Sequence, residues 1–191
     1  MLWTLIRQVN QAPVHPSSSL PGRAPSLYGH NQQMPEQRFN IIKGNTGTLE
    51  SANSVIRSAV ASWDLPERLK RLSAPVLQYS EIDLKDYDYA LCIYRRRVIA
   101  TAFWRIIHWQ DRIDLHGLFT AKPWQGIGAG GQLQKYIVEN SGHPSLNHIY
   151  VKAHRCATSY FESTGYKKIN PDEHTSLYPH QYQKEISSLF I

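Results

Sequence analysis

The residues best suited to chemistry lie in one stretch, Gln125-Gly-Ile-Gly128-Ala-Gly130-Gly131, between a strand-like segment (Asp114 to Thr120) and a helical one. A strand, a glycine-rich turn and a helix start together form a phosphate site. Unpaired amides at the helix start point outward, the helix dipole adds partial positive charge, and glycines let the backbone approach phosphates closely. Two familiar uses of such a turn fail here. A P-loop ends in Gly-Lys-Ser/Thr, which is absent. Gly126, Gly128 and Gly131 formally match GxGxxG, but Lys122-Pro123-Trp124 separates strand from turn. A dinucleotide site also needs an acid about 20 residues on, and no acid occurs between Glu139 and Glu162.

The elements that must position this turn are legible from periodicity. Arg38 to Lys43 reads as a first strand, ended by Gly44. Thr48 is placed to cap a helix in which Leu49, Ala52, Ile56, Ala59, Val60 and Trp63 share one face. Pro66 suits the first turn of a second helix, expected to reach about Leu72. Tyr89–Tyr94 and Val98–Trp104 flank Arg95-Arg96-Arg97 as an antiparallel hairpin, with Ile113–Thr120 as the next partner. Ala129–Glu139 is helical, His148–Ala153 a strand, and Ala157–Thr164 a short helix ended by Gly165. Strand-like pieces at Tyr166–Ile169 and Gln181–Ile186 close the pattern. Hairpins first, then strands alternating with helices, predict an α/β (α+β) fold with a mixed sheet.

Gln125-Gly-Ile-Gly128-Ala-Gly130 resembles the Gln/Arg-x-x-Gly-x-Gly/Ala signature of the GNAT superfamily of acyl-CoA N-acyltransferases. Downstream, Ala157-Thr-Ser-Tyr-Phe-Glu-Ser-Thr-Gly165-Tyr166 is similar to that family's Ala-x-x-Phe-Tyr-Glu-Lys-x-Gly-Phe, and the element order agrees over residues 38–186. The resemblance implies a mostly antiparallel central sheet of about six to seven strands flanked by helices. It also implies transfer of an acetyl group from acetyl-CoA to an amine by direct attack in a ternary complex, without a metal.

Carried over residue by residue, the resemblance assigns the thioester carbonyl and pantetheine arm to backbone groups of Leu118, Phe119 and Thr120, beside a bulge in the fourth strand. The pyrophosphate falls to the amides of Gln125, Gly126, Ile127, Gly128, Ala129 and Gly130. His154 stands where relatives often carry a cofactor-contacting asparagine. Phe161 takes the place of a tyrosine that protonates the departing thiolate, and Tyr160, beside it, projects roughly 100° away on a helix. Asp114 and His116, two apart on a strand, share one face. An alkyl ammonium has a reference pKa of about 10.4 and must lose a proton before attack. Asp114 is expected to bind that ammonium and His116 to relay its proton. Pro179-His180 with Lys184 resembles an ending found in some bacterial relatives.

Composition narrows the remaining readings. The chain has 191 residues, suited to one domain. Two widely spaced cysteines, Cys92 and Cys156, make neither a disulfide framework nor a metal site, HExxH is absent, and a reducing, cytoplasmic setting is expected. No apolar run is long enough to span a membrane. The net charge of +6 suits a polyanion or a phosphorylated small molecule. Without a helix-turn-helix, zinc-finger or aromatic RNA-binding pattern, nucleic acid is disfavoured as a partner. A catalytically weak CoA sensor and a basic nucleic-acid binder remain the alternatives to an enzyme, and a homodimer is left open.

Residues 1–35 hold five of the eleven prolines, a Ser17–Ser19 run and no acid, and read as a flexible tail before a domain over residues 36–191. Deleting residues 1–33 is expected to leave folding and cofactor binding intact. Precipitation of the truncated protein, or loss of a cofactor-induced melting shift, would show that this segment packs on the domain.

Overall fold

The computed structural model describes residues 39–169 and 180–190. The expected tail, Arg38 and Pro179 lie outside those residues. Seven strands form one sheet: β1 (Asn40–Lys43), β2 (Asp88–Tyr94), β3 (Arg97–Ile107), β4 (Arg112–Thr120), β5 (His148–Lys152), β6 (Lys167–Ile169) and β7 (Gln181–Glu185). Their spatial order is β1-β2-β3-β4-β5-β7-β6. Only β4 and β5 run parallel; every other neighbouring pair is antiparallel. Helices α1 (Leu49–Ala61), α2 (Glu67–Leu77), α3 (Ala129–Glu139) and α4 (Thr158–Ser163) flank the sheet.

Both sheet faces are apolar, as a sheet covered on two sides requires. On one face Ile56 and Val60 of α1 pack against Tyr89, Leu91 and Phe103. On the other, Leu133 and Ile137 of α3 and Phe161 of α4 pack against Ala102, Trp104, Ile113 and Leu115. Strand β3 thus feeds two separate cores, with Phe103 on one face and Ala102 and Trp104 on the other.

Local chemistry departs from the expected pattern at three points. Thr48 does not cap α1 with its side chain. Its hydroxyl instead donates to the Asn45 carbonyl and pairs with the Tyr89 hydroxyl, fastening a 3₁₀ turn (Thr46–Thr48) to the sheet. The second helix runs to Leu77 rather than about Leu72, carrying Pro75 inside it. Pro66 is its N-cap, with a carbonyl that accepts from the amides of Leu69 and Lys70. The β2–β3 turn places Arg95 and Arg96 at φ 47° and 62°. Positive φ at both central residues gives the twist that a two-residue hairpin needs, although neither residue is glycine.

Phe103 is fully buried between Tyr79 (ring centroids 3.6 Å apart) and Tyr89 (4.8 Å). Replacing it with alanine is expected to destabilise the fold by about 3–5 kcal/mol. Chemical denaturation measures this; a loss under about 1 kcal/mol would mean the stack is not a structural centre.

Candidate active site

The β4–β5 pairing begins at Arg112↔His148 and ends at Leu115↔Val151, although β4 continues to Thr120. From His116 onward β4 is held only by β3, on its other side. The cause is a one-residue bulge. Trp104 faces Leu115 and Phe103 faces Gly117, so His116 is the extra residue. Gly117 is needed there, because a Cβ would come within 2.8 Å of the Phe119 ring and 2.9 Å of the Tyr79 hydroxyl. The bulge therefore lies two residues before Leu118, Phe119 and Thr120, the residues expected to carry it. These three, all half-buried, form the stretch that follows it.

Beyond β4 the chain turns back through a 3₁₀ turn (Lys122–Trp124) into Gln125. The Gln125 amide donates to the Thr120 carbonyl (3.1 Å) and to the Ser62 hydroxyl at the end of α1 (3.2 Å). Its side chain thus tethers the turn to β4. Gly126 (φ 81°) and Gly128 (φ 90°) are left-handed, and Gly128 is the N-cap of α3. Neither would meet an atom within 4 Å if it carried a Cβ, so conformation and not space demands glycine. The amides of Gly126, Ile127, Gly128, Ala129, Gly130 and Gly131 make no hydrogen bond among the described residues; the first α3 bond is Gln132 to the Gly128 carbonyl. Six consecutive donors are thus unpartnered among the described residues.

On the α1/α2 face, the His116 Nδ1 lies 2.7 Å from the hydroxyl of Tyr79. Tyr79 is locked: its amide donates to Asn53 Oδ1, its carbonyl accepts from Asn53 Nδ2, and its ring stacks on Phe103. The His116 ring also packs on Tyr87 (4.5 Å). Crowding at the ring, then Arg105 and Lys152, lower the His116 pKa, although the residue as a whole keeps an exposed edge. The histidine is therefore neutral at neutral pH. Desolvation pushes the Tyr79 pKa upward, so its hydroxyl keeps its proton.

Asp114 is committed elsewhere. Arg112 Nε lies 2.8 Å from Oδ1, and Arg105 approaches Oδ2 at 3.4 Å across the β3–β4 register. The Arg112 contact is an ion pair without hydrogen-bond alignment, since neither buried atom has a hydrogen-bond partner. Asp114, expected to bind the ammonium, thus already has two guanidiniums as counter-charges.

The sequence profile of the acetyltransferase (GNAT) domain matches residues 75–181, more than half of the chain. The chain belongs to the GNAT acetyltransferase family. Its fold is similar to that of PaiA N-acetyltransferase from Thermoplasma acidophilum in complex with coenzyme A (TM-score 0.61, 15% identity, covering 78% of this chain and 99% of that one). A GCN5-related N-acetyltransferase from Rhodopseudomonas palustris gives TM-score 0.64 at 12% identity, over 81% of this chain and 99% of that one. Tetrahymena GCN5 gives 0.55 at 16%, over 78% and 96%. No curated protein matches the sequence.

Within this GNAT domain, the neighbours Phe161 and Tyr160 point to different surroundings. Phe161 is 4% exposed and packs on Tyr166 and Tyr182 in the core. The Tyr160 hydroxyl instead reaches the first turn of α3, where a Cβ on Gly130 would meet it at 2.6 Å and Leu118 lies beside it. Gln134 donates to that hydroxyl (3.2 Å), so its own proton has no acceptor among the described residues. The 100° offset between neighbours on one helix turn decides which ring enters the core. No metal-binding group of His, Cys, Asp or Glu occurs among the described residues. None of the described helices is long and apolar enough to cross a membrane.

His154, just past β5, stacks on Trp63 (4.4 Å, 9°), and its Nδ1 accepts from the Cys156 amide. Burial, then Arg155 and His180, lower its pKa to about 4. Lys184 donates to the Thr164 carbonyl and so serves the end of α4. Tyr79 and Tyr87 are the site residues that sequence reasoning missed, because one tyrosine among eleven carries no periodic signal.

The sign of the His154 effect follows from its lowered pKa. The unfolded chain takes up a proton near pH 6.5, whereas the folded one resists until about 4. Its contribution to stability is therefore complete above pH 6.5 and is lost as pH falls toward 4. His154→Asn is expected to flatten the slope of unfolding free energy against pH in that window. An unchanged slope would show that His154 is not held neutral.

Proposed function

We propose that the protein is an N-acyltransferase that moves an acetyl group from acetyl-CoA to an amine. The observation that carries this is the run of unpartnered amides at residues 126–131, which follows in sequence the stretch of β4 that β5 leaves unpaired. Phosphate oxygens match those donors and the positive end of α3. The pantetheine arm fits the unpaired edge of β4 along Leu118, Phe119 and Thr120, and His154, two residues past β5, is assigned a contact with the cofactor.

Two side chains flank the gap with opposite proton duties. His116, neutral and backed by Tyr79, accepts the amine proton. The amine nitrogen then attacks the thioester carbonyl carbon, and backbone N–H groups beside the bulge oppose the charge on its oxygen. As the C–S bond breaks, Tyr160 gives its proton to the leaving sulfur. Burial raises the Tyr160 pKa, which keeps that proton in place until it is needed. With Nδ1–H donating to the Tyr79 hydroxyl, Nε2 is left free to take the amine proton, and the same hydrogen bond persists in the imidazolium. Asp114 has a positioning role, holding Arg105 and Arg112 in place.

Acetyl-CoA is expected to raise the melting temperature by mass action, and Gly128→Glu to abolish the shift through backbone strain and like charge. Equal shifts in both proteins would put the cofactor elsewhere. Tyr160→Phe should lower the rate of thiol release about 10²-fold and alter the alkaline limb of the pH profile. That is the lower end for general acid catalysis, because a thiol of pKa about 8.5 leaves readily. Tight acetyl-CoA binding with no thiol release from any amine would favour a sensor.

A further inference from the structure

The charges around His116 bear on what the acceptor must carry. Arg112 answers the charge of Asp114 at 2.8 Å from within the fold, with 28% of its side chain exposed. Arg105 makes only one long contact to that carboxylate, 3.4 Å through a single nitrogen, and 46% of its side chain is exposed. Its remaining N–H donors have no acceptor among the described residues, and its guanidinium lies 5.8 Å over the ring of Tyr87. The same ring packs on His116. Arg105 and the proposed base therefore meet at one aromatic side chain on one face of the sheet. The other acid near His116, Asp83, has one carboxylate oxygen occupied by the amide and hydroxyl of Ser80, both at 2.7 Å. The face thus offers a cation with open donors beside the base, and its nearest carboxylate is already paired.

We propose that the acceptor is a small amine that carries a carboxylate, an amino acid or a close analogue, with the carboxylate held by Arg105 while His116 takes the amine proton. The planar guanidinium fork matches a carboxylate in two parallel hydrogen bonds, which places the attached amine as well as binding it. A polyamine or a lysine-rich peptide would bring like charge to Arg105 instead. This inference rests on the reading of the site as an amine-acylating centre.

The test compares thiol release from acetyl-CoA with amino acids and with their carboxamides, pair by pair, for the full-length protein. The expected result is a kcat/KM larger by about 10- to 100-fold for the acid of the preferred pair, the size of a charge-assisted hydrogen bond. In Arg105→Gln that ratio should collapse toward one through a raised KM for the acid, and Arg105→Lys should restore part of it. Thiol release with no preference for the acid, or a preference that survives Arg105→Gln, would overturn the assignment while leaving acyl transfer standing. Thiol release from no amine of either series, with acetyl-CoA bound, would overturn the acyl-transfer reading and this inference with it.

Discussion

The parting of β4 from β5 after Leu115 is the constraint on which the site depends. A parallel pair in the middle of a sheet normally stays paired, because each broken ladder bond strands a donor and an acceptor. Here the bulge at His116 re-aims the strand, and β3 holds the freed stretch from the other side. The extra residue also brings the His116 ring against Tyr79 and Tyr87, which an unbroken ladder would not do. One local irregularity therefore makes both the gap and the placement of His116 beside it. Gly117 permits it, since any side chain there would strike Phe119 and Tyr79.

The two faces of the sheet contribute differently to this gap. From the α3/α4 side come the unpartnered amides and the Tyr160 hydroxyl, and the hydroxyl is aimed by Gln134. That residue is 2% exposed, donates to Tyr160 and accepts from Tyr166, so a buried amide is satisfied while it aims a tyrosine. From the α1/α2 side come His116 and its locked partner Tyr79, held through Asn53 by the same helix whose end receives Gln125. Helix α1 thus ties the Tyr79–His116 pair and the glycine turn to one element.

Electrostatics in this region is arranged around a pair and a half of charges. Asp114 is mostly buried, and a lone carboxylate there would carry a large desolvation cost. Arg112, stacked over the Tyr150 ring at 4.2 Å, supplies the close counter-charge, while Arg105 stays nearer solvent. The cluster keeps a net positive charge next to a neutral histidine, and Arg105 is among the causes that keep His116 neutral.

Much of this was legible in the sequence because it is local. Periodicity over Leu49–Trp63 and Ala129–Glu139 marks two helices, alternation marks the hairpin strands, and the glycines at 126 and 128 announce left-handed backbone before a helix start. The end of α2 was not legible, since the helix continues past Leu72 with Pro75 inside its last turn. The site divided along the same line. The glycine turn is a property of six consecutive residues, so its place and chemistry are written in order along the chain. The commitment of Asp114 to two arginines, the burial of Phe161 in place of Tyr160, and the Tyr79–His116 contact across 37 residues of sequence are not. Strand register, the bulge that shifts it by one residue and the rotation of a short helix against the core decided those, and each is set by packing between segments far apart in the chain.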